Sequence, residues 1–518
     1  MHHIGRTCRP RRRPAWADRP VPDCKESTSP SLSNGFAGCI AILVLFVLSG
    51  SASGDDLDDI MGGFDDDFDV TEIEDVDDLD EIHPWLAALP FGEVIAERVD
   101  LSGSLATGAV YNYLDHDVTH GDQPARRTQY GNLSRLDLDG FLQLDVQLPA
   151  QWMVRAEALG WYDFVYRAKG RGSYGGEVLD VYEWQFDSGE VYASGPMTKS
   201  LDLTVGRKIV NWGRSDTFRI VDVVNALDNK EPGLVDIEDL RRPTTMVKLD
   251  GATGPWYTTL LVIPEKRYSR EPPPGSDFYP DLAKLPPLFR VTPKHDDDDF
   301  EGTPGFAARF GGNFSGWDFT LYGAYLDEPS RTLDIGSTGL VLESNRFGLA
   351  GVAGNYTIDR WLFKLETAYL HDLHVLRASA TAPFLSSDGV DRFDTMVGVE
   401  FYGPDSLIIA LEVVNRHVVE SMRHVVASNR SPERSFFETG LRISRPFFRE
   451  RLDITLLGVG IGERLQGGGI VRLSGDFELT DSWAMNGGIL IFIGGPEERY
   501  IGFIDSNDRI FAELKYSF

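Results

Sequence analysis

Between Arg135 and Leu148 the character of the chain changes at every step. Leu136, Leu138, Gly140, Leu142, Leu144, Val146 and Leu148 hold one set of alternate positions, and Arg135, Asp137, Asp139, Phe141, Gln143, Asp145 and Gln147 hold the other. Successive side chains of a strand point to opposite faces, so the segment reads as a strand with an oily face and a charged face. The pattern recurs. Trp361, Phe363, Leu365, Thr367 and Tyr369 oppose Lys364 and Glu366, and Phe393, Thr395, Val397, Val399 and Phe401 oppose Asp394 and Glu400. Leu407, Ile409, Leu411 and Val413 oppose Glu412 and Arg416; Phe437, Thr439, Leu441 and Ile443 oppose Glu438 and Arg442. Val471, Leu473, Phe477 and Leu479 oppose Arg472, Asp476 and Glu478. In the last segment Ile510, Ala512, Leu514, Tyr516 and Phe518 alternate with Phe511, Glu513, Lys515 and Ser517.

A soluble sheet can show this alternation once. Its repetition requires an environment with oil on one side and water on the other. From Glu97 to Phe518 no apolar run approaches the roughly 20 residues of a membrane-spanning helix. In lipid every backbone amide must find a partner, and a sheet closed on itself provides one without leaving an edge. The expected fold is an all-β, antiparallel transmembrane barrel over residues 97–518, apolar outside and charged inside. About eighteen strands can be counted, an even number as this architecture has. Sixteen is the fallback if Thr244–Gly251 and Phe347–Tyr356 fail, where glycine and small residues blur the pattern. Short turns are expected at Pro149-Ala150, Gly195-Pro196, Gly251–Gly254, Ser315-Gly316, Asp359-Arg360, Gly403-Pro404, Arg449-Glu450 and Thr480-Asp481, with longer polar connections between them. Tryptophans and tyrosines near strand ends (Trp152, Tyr162, Trp256, Trp317, Tyr325, Trp361, Tyr369, Tyr402, Trp483, Tyr516) suit interfacial girdles. The polar set places Arg135, Asp137, Asp139, Asp145, Lys364, Glu366, Glu412, Arg472 and Asp476 on the lumen wall. A final strand that closes on a terminal Phe resembles those of bacterial outer-membrane β-barrels. The resemblance implies recognition by the barrel-insertion machinery and contact with outer-membrane lipids.

The front of the chain fixes the compartment. A basic stretch (Arg9, Arg11, Arg12, Arg13, Lys25) precedes the apolar run Phe36–Leu48, and Gly50, Ser51, Ala52, Ser53 and Gly54 follow it. That order is a secretory signal with a long basic region, expected over residues 1–54 with cleavage near Ala52 or Gly54. Cys8, Cys24 and Cys39 all lie within it. The mature chain then has no cysteine, which excludes disulfides and thiolate metal sites. Such a chain belongs in the outer membrane of a Gram-negative bacterium.

Residues 55–96 form a separate acidic segment, expected to be largely disordered in the periplasm. Asp55–Glu81 carries fifteen carboxylates and neither Lys nor Arg, half of the net −30 of the whole chain. One reading is a solvated linker. The other uses the spaced apolar residues: Phe64 and Phe68, with Asp65 and Asp66 after Gly62-Gly63, would dock into a groove on a periplasmic partner and fold on binding. The spacing lacks the alternation of a calcium-binding loop.

Two long inserts stand out. The first follows the strand Leu201–Lys208. Ile220, Val221, Val224 and Leu227 fall at helical spacing and Asp216 suits an N-cap, which predicts a short helix folded back into the barrel mouth. Its charged and polar residues (Asn211, Trp212, Arg214, Asp216, Arg219, Asp236, Glu238, Asp239, Arg241, Arg242) would form a constriction that tunes which solutes pass, or would pair with the wall and pin the loop. Within this stretch Gly206-Arg207-Lys208, Asn211-Trp212-Gly213 and Asn225-Ala226-Leu227-Asp228 resemble the "GRQ…NWG…N…LD" motif of the domain-of-unknown-function family DUF1302, with Lys208 where Gln is common. The resemblance implies an outer-membrane barrel, and one that accompanies inner-membrane exporters of hydrophobic compounds and an outer-membrane lipoprotein. Strict alternation from Leu203 points Arg207 at lipid, so a bulge or a position above the membrane plane is expected there. The second insert, from Pro264 to about Gly302, is proline-rich and ends His295-Asp296-Asp297-Asp298-Asp299. It reads as a lid or partial plug whose charges are solvated.

No HExxH, P-loop or GxSxG motif is present. His371, His374, His417 and His424 read as scattered surface histidines. The chain is expected to be a non-enzymatic channel without cofactor or metal, not a nucleic-acid binder. The alternative is the outer-membrane component of an export assembly, recruited to an inner-membrane exporter through residues 55–81.

Overall fold

Each alternating segment forms a strand, and each strand pairs antiparallel with its neighbours in sequence. The wall runs β1 (Val99–Asn112), β2 (Asn132–Leu148), β3 (Trp152–Asp163), β4 (Trp184–Thr198), β5 (Leu201–Lys208) and β6 (Thr244–Thr253). It continues through β7 (Trp256–Ile263), β8 (Gly305–Phe314), β9 (Trp317–Asp327), β10 (Arg346–Ile358), β11 (Trp361–Ala378) and β12 (Leu385–Tyr402). It ends with β13 (Ile408–Val418), β14 (Ser435–Phe447), β15 (Leu452–Ile461), β16 (Gly469–Thr480), β17 (Trp483–Ile493) and β18 (Arg509–Ser517). β18 pairs with β1 from Ser104↔Ser517 to Asn112↔Arg509, which closes an eighteen-stranded barrel. The terminal residue completes the seam: Phe518 exchanges backbone hydrogen bonds with Gly103 at 2.9 and 3.0 Å.

The computed structural model describes residues 98–114, 117–119, 127–235, 239–279, 298–300, 302–336, 339–378, 385–419, 434–495 and 500–518. All belong to the second of two units, Asp55–Phe518. The signal segment, the acidic segment with Phe64, Asp65, Asp66 and Phe68, and the residues Asp236, Glu238, His295 and His424 lie outside the described residues.

Both blurred segments are wall strands, β6 and β10. The alternation holds in three dimensions: Phe363, Leu365 and Val397 are exposed on the outside, whereas Lys364, Glu366, Asp394 and Glu412 are buried on the other face. Short turns join β2–β3, β4–β5, β6–β7, β8–β9, β10–β11, β12–β13, β14–β15 and β16–β17, and the other junctions are mostly longer. Trp152, Trp256, Trp317, Trp361 and Trp483 are each the first residue of a strand after a short turn. They form one rim at the level where an amphipathic indole is favoured.

One expected turn is wrong. Gly195 and Pro196 lie inside β4, and the turn is at Lys199-Ser200. The register shifts between Pro196 and Thr198, and a bulge is where a residue without an N–H can sit in a ladder. Gly195 is small because the Trp152 ring lies 2.5 Å from where a Cβ would stand. Arg207 is also explained. It sits one residue from the end of β5 and pairs with Glu265, just beyond the end of β7, while donating to Ser188 Oγ at 3.2 Å. Its charge is neutralised at the rim.

Apolar side chains also pack inside. Val210, Trp212, Phe218, Ile220 and Val221 from the β5–β6 connection are buried against Tyr322, Leu349, Ala368, Met396 and Val414 of the wall. A second cluster joins Phe278 to Leu490, Phe492, Ile501 and Ile504.

Candidate functional site: the infolded loop and the lumen wall

The β5–β6 connection leaves the rim and reaches the wall on the other side of the barrel. Two wall carboxylates hold it. Glu366 on β11 accepts the backbone N–H groups of Arg214 and Ser215, the latter at 2.7 Å. Glu412 on β13 accepts Ser215 Oγ at 2.6 Å and the N–H groups of Asp216 and Thr217 at 3.1 and 3.2 Å. A run of four N–H groups thus meets two carboxylates, each of which is acceptor-only when ionised. Side chains reinforce the contact. Arg214 pairs with Asp318 on β9 at 2.9 Å, and Lys364 pairs with Asp216 at 2.8 Å and with Glu400. Arg416 on β13 donates to the Arg219 carbonyl at 3.3 Å and pairs with Asp394 and Glu438 at 2.5 and 2.8 Å.

No helix forms among the described residues of 209–243, so the helical spacing of Ile220, Val221, Val224 and Leu227 was misleading. Side chains fold this stretch back on itself instead: Asn225 ties it to Val210 and Arg242, and Asp222 takes Arg219 and Arg241. Ile220 and Val221 are apolar because both are buried against the wall, which needs no period. Asp216 is an ion-pair partner, not an N-cap.

The loop is folded back on itself around two residues outside the expected constriction set, Asn225 and Asp222. Asn225, fully buried, accepts the Val210 N–H at 2.8 Å and donates to the carbonyls of Arg242 and Lys208 at 2.9 and 3.3 Å. Asp222 receives Arg219 at 2.9 Å and Arg241 at 3.0 Å, and Arg241 also donates to Asn211 at 2.9 Å. Backbone bonds from Asp228 to Leu240 and from Arg242 to Ala226, both 2.8 Å, close the base. The sequence signal for Asn225 is its place in the motif Asn225-Ala226-Leu227-Asp228.

Beside this base sits a cluster of arginines from both inserts. Arg242 pairs with Asp298 at 3.1 Å, Arg270 with Asp187 at 2.8 Å and Asp228 at 3.3 Å, and Arg267 lies 3.6 Å from Asp298. Burial and the neighbouring Arg270 and Arg267 push the Arg242 guanidinium down to about 10. Asp298, expected to be solvated, instead ties the second insert to the first. No group of acidic or histidine side chains suited to a metal ion occurs among the described residues.

The remaining expected wall residues each lie against a polar partner. Arg135 pairs with Asp137, lies 3.9 Å from Asp139, and reaches Glu231 of the loop at 2.8 Å. Asp145 takes Arg155 at 2.9 Å, and Arg472 donates to the carbonyls of Gly233 and Leu234 at 3.4 and 3.3 Å. Asp476 accepts from Asn486. A cavity of about 220 Å³ opens between β2, β3 and the loop, lined in part by Arg135, Asp139, Trp161, Lys230, Asp239 and Asp277. At the rim, His371 and Tyr369 share Asp391 at 2.8 and 2.5 Å, and His374 faces Glu328 at 3.3 Å.

A closed antiparallel barrel, apolar outside, charged inside and crossed by an inserted loop, has the build of an outer-membrane β-barrel. The chain belongs to the family described as "Protein of unknown function (DUF1302)", whose model matches residues 92–518. Comparison with curated proteins returns no match. Among solved structures the chain is similar to Acinetobacter baumannii OccAB1, at 10% identity over 81% of this chain and 96% of that one, with a TM-score of 0.47. It is also similar to Pseudomonas aeruginosa OccK2 (OpdF) in complex with glucuronate, at 9% identity over 81% and 96%, TM-score 0.43. The outer-membrane channel DcaP of Acinetobacter baumannii aligns at 10% identity over 81% and 97%, TM-score 0.39.

Proposed function

We propose that the protein is an outer-membrane channel through which solutes diffuse, and that the loop Asn211–Arg242 narrows its lumen. The observation that carries this is the attachment of Arg214–Thr217 to Glu366 and Glu412 on the far wall. A loop held there by charge-assisted bonds takes up cross-section permanently. An eighteen-stranded barrel is otherwise wide enough for water. The charges of Arg214, Asp216, Arg219, Asp239, Arg241 and Arg242 then shape the passage as they pin the loop. Their pairing makes the two roles one.

The test is reconstitution into planar bilayers, with solute-swelling assays in liposomes. Replacing Asn211–Arg242 by a short linker is expected to raise both conductance and the size limit. Glu366→Gln with Glu412→Gln keeps the chain intact and should raise current noise by weakening the attachment. Unchanged pore size in the first variant and unchanged noise in the second would remove the constriction.

A second reading makes the barrel the outer-membrane part of an assembly with an inner-membrane exporter of hydrophobic compounds. It is supported by the acidic, apolar-studded stretch Asp55–Glu81, with Phe64, Asp65, Asp66 and Phe68 as its anchor. Deleting Asp55–Glu81 separates the readings. A simple channel transports and conducts as before, whereas an assembly component loses transport in cells with conductance intact.

A further inference from the structure

The two sides of the lumen are charged differently. On the side that receives the loop, the carboxylates are occupied: Asp318 by Arg214, Glu400 by Lys364, Asp394 and Glu438 by Arg416, and Glu366 and Glu412 by backbone N–H groups. Arg214 of the loop and Lys364 and Arg416 of the wall offset those charges in part, and the loop N–H groups bind the rest.

On the opposite side two rows of register partners cross the seam of the barrel. One runs Asp453↔Asp476↔Asn486↔Glu513↔Gly108↔Asp137. The other runs Glu478↔Ala484↔Lys515↔Ala106↔Asp139. Register partners share a face, and Asp137, inward and buried, identifies that face as the lumen. Lys515 is the single cation on these two rows. Asp139 lies within electrostatic reach of Glu513. Its Oδ2 stands 3.9 Å from Arg135 and accepts no hydrogen bond among the described residues. The Glu513 carboxylate has neither an ion pair nor a hydrogen bond among the described residues.

Asp139 also lines the cavity under the loop, where six carboxylates face Arg135, Lys230 and Arg509. Each of those cations is engaged already: Arg135 by Glu231, Lys230 by Asp228 at 3.2 Å, and Arg509 by Asp277 at 3.1 Å. The negative excess is therefore continuous from the cavity to the row through Glu513. No three of the described carboxylates group to hold one metal ion, so the excess acts as a field along the wall and not as a coordination site. Such a field raises the local concentration of mobile cations and excludes anions.

We propose that the passage is selective for cations, and that Asp139 and Glu513 are the residues that set the selectivity. This rests on the channel reading and names the class of solute that the channel favours. Reversal potentials in planar bilayers under a potassium chloride gradient test it. The wild-type barrel should pass K⁺ in preference to Cl⁻. The preference should grow as salt falls from 1 M to 0.1 M, because the screening length rises from about 3 to about 10 Å. Asp139→Asn with Glu513→Gln should lower the permeability ratio about twofold or more, since a wall field scales with its fixed charge. Glu463→Gln, on the exposed β15–β16 loop, should leave it unchanged. Heat-modifiable gel migration confirms that each barrel is closed. A conducting wild type with no preference for K⁺, or a closed double variant with an unchanged ratio, overturns the inference and leaves the channel reading standing. A closed wild-type barrel that passes no current overturns both.

Discussion

Asn225 does for the loop what a disulfide does in a secreted domain, with hydrogen bonds alone. One carboxamide supplies an acceptor to Val210 and donors to Arg242 and Lys208, and so joins the two ends of the insert where they leave and re-enter the wall. No water reaches it. Asn225→Ala takes the acceptor from the Val210 N–H and the amide donor from the Lys208 and Arg242 carbonyls, of which Arg242 keeps Thr244 Oγ1. Unsatisfied groups of this kind cost about 1–3 kcal/mol each. The variant is therefore expected to fall in unfolding free energy on the order of 2–4 kcal/mol and to become cleavable within 209–243 by external protease, with the barrel still closed. A chain as resistant as wild type would show that the wall contacts alone suffice. Asp222, clamped by Arg219 and Arg241, is the neighbouring case. Neither residue stood out by composition, because a single buried polar side chain has no periodicity to betray it.

At the level of elements, what could be read in advance was what alternation encodes. β11 and β12 were legible because lipid on one side and charge on the other fix every residue. β6 and β10 were blurred by glycine, yet hydrogen-bonding neighbours on both sides recruit them, since an open edge in lipid is not tolerated. The β4–β5 turn was misplaced because Gly195-Pro196 has turn chemistry without a turn. Its glycine answers to Trp152 across the sheet, and its proline to a bulge. Such tertiary causes are invisible to local pattern. Gly195→Ala tests them: the new methyl must displace the Trp152 ring, and overpacking of this kind costs about 1–3 kcal/mol. Gly254→Ala, at a real turn, meets nothing within 4 Å but forces a φ of 59° on a residue with a side chain. Urea titration of the folded barrels is expected to show the larger loss for Gly195→Ala. The reverse order would mean that the indole moves freely. The helix expected in the β5–β6 insert failed for a related reason, as Ile220, Val221 and Val224 answer to burial against the wall and not to a helical period.

For the whole molecule, the orientation of the two stripes decides everything above, and the chain offers a clean way to measure it. Cys8, Cys24 and Cys39 all precede residue 55, so a barrel beginning there carries no thiol. Single cysteines can then report the environment of each face, because the thiolate attacks the maleimide double bond and a thiolate forms only in contact with water. Phe363→Cys, Leu365→Cys and Val397→Cys lie on exposed outer positions of β11 and β12. In lipid they should resist a charged maleimide and react once the barrel is in detergent-free denaturant. Asp476→Cys and Glu513→Cys lie on the inner rows of β16 and β18, and should react in intact membranes. Partial block of current on modification would place those two thiols in the conducting path itself. Trp361 and Trp483 supply a second reading of the same geometry, since quenchers fixed at shallow depth in the bilayer should quench their rim more than quenchers at the bilayer centre. If the outer cysteines label in membranes while the inner ones do not, the stripes are reversed. The charged rows would then face lipid, a cost of about 2–4 kcal/mol for each buried Arg or Lys at the midplane, and the channel could not be sustained on any arrangement of its loop.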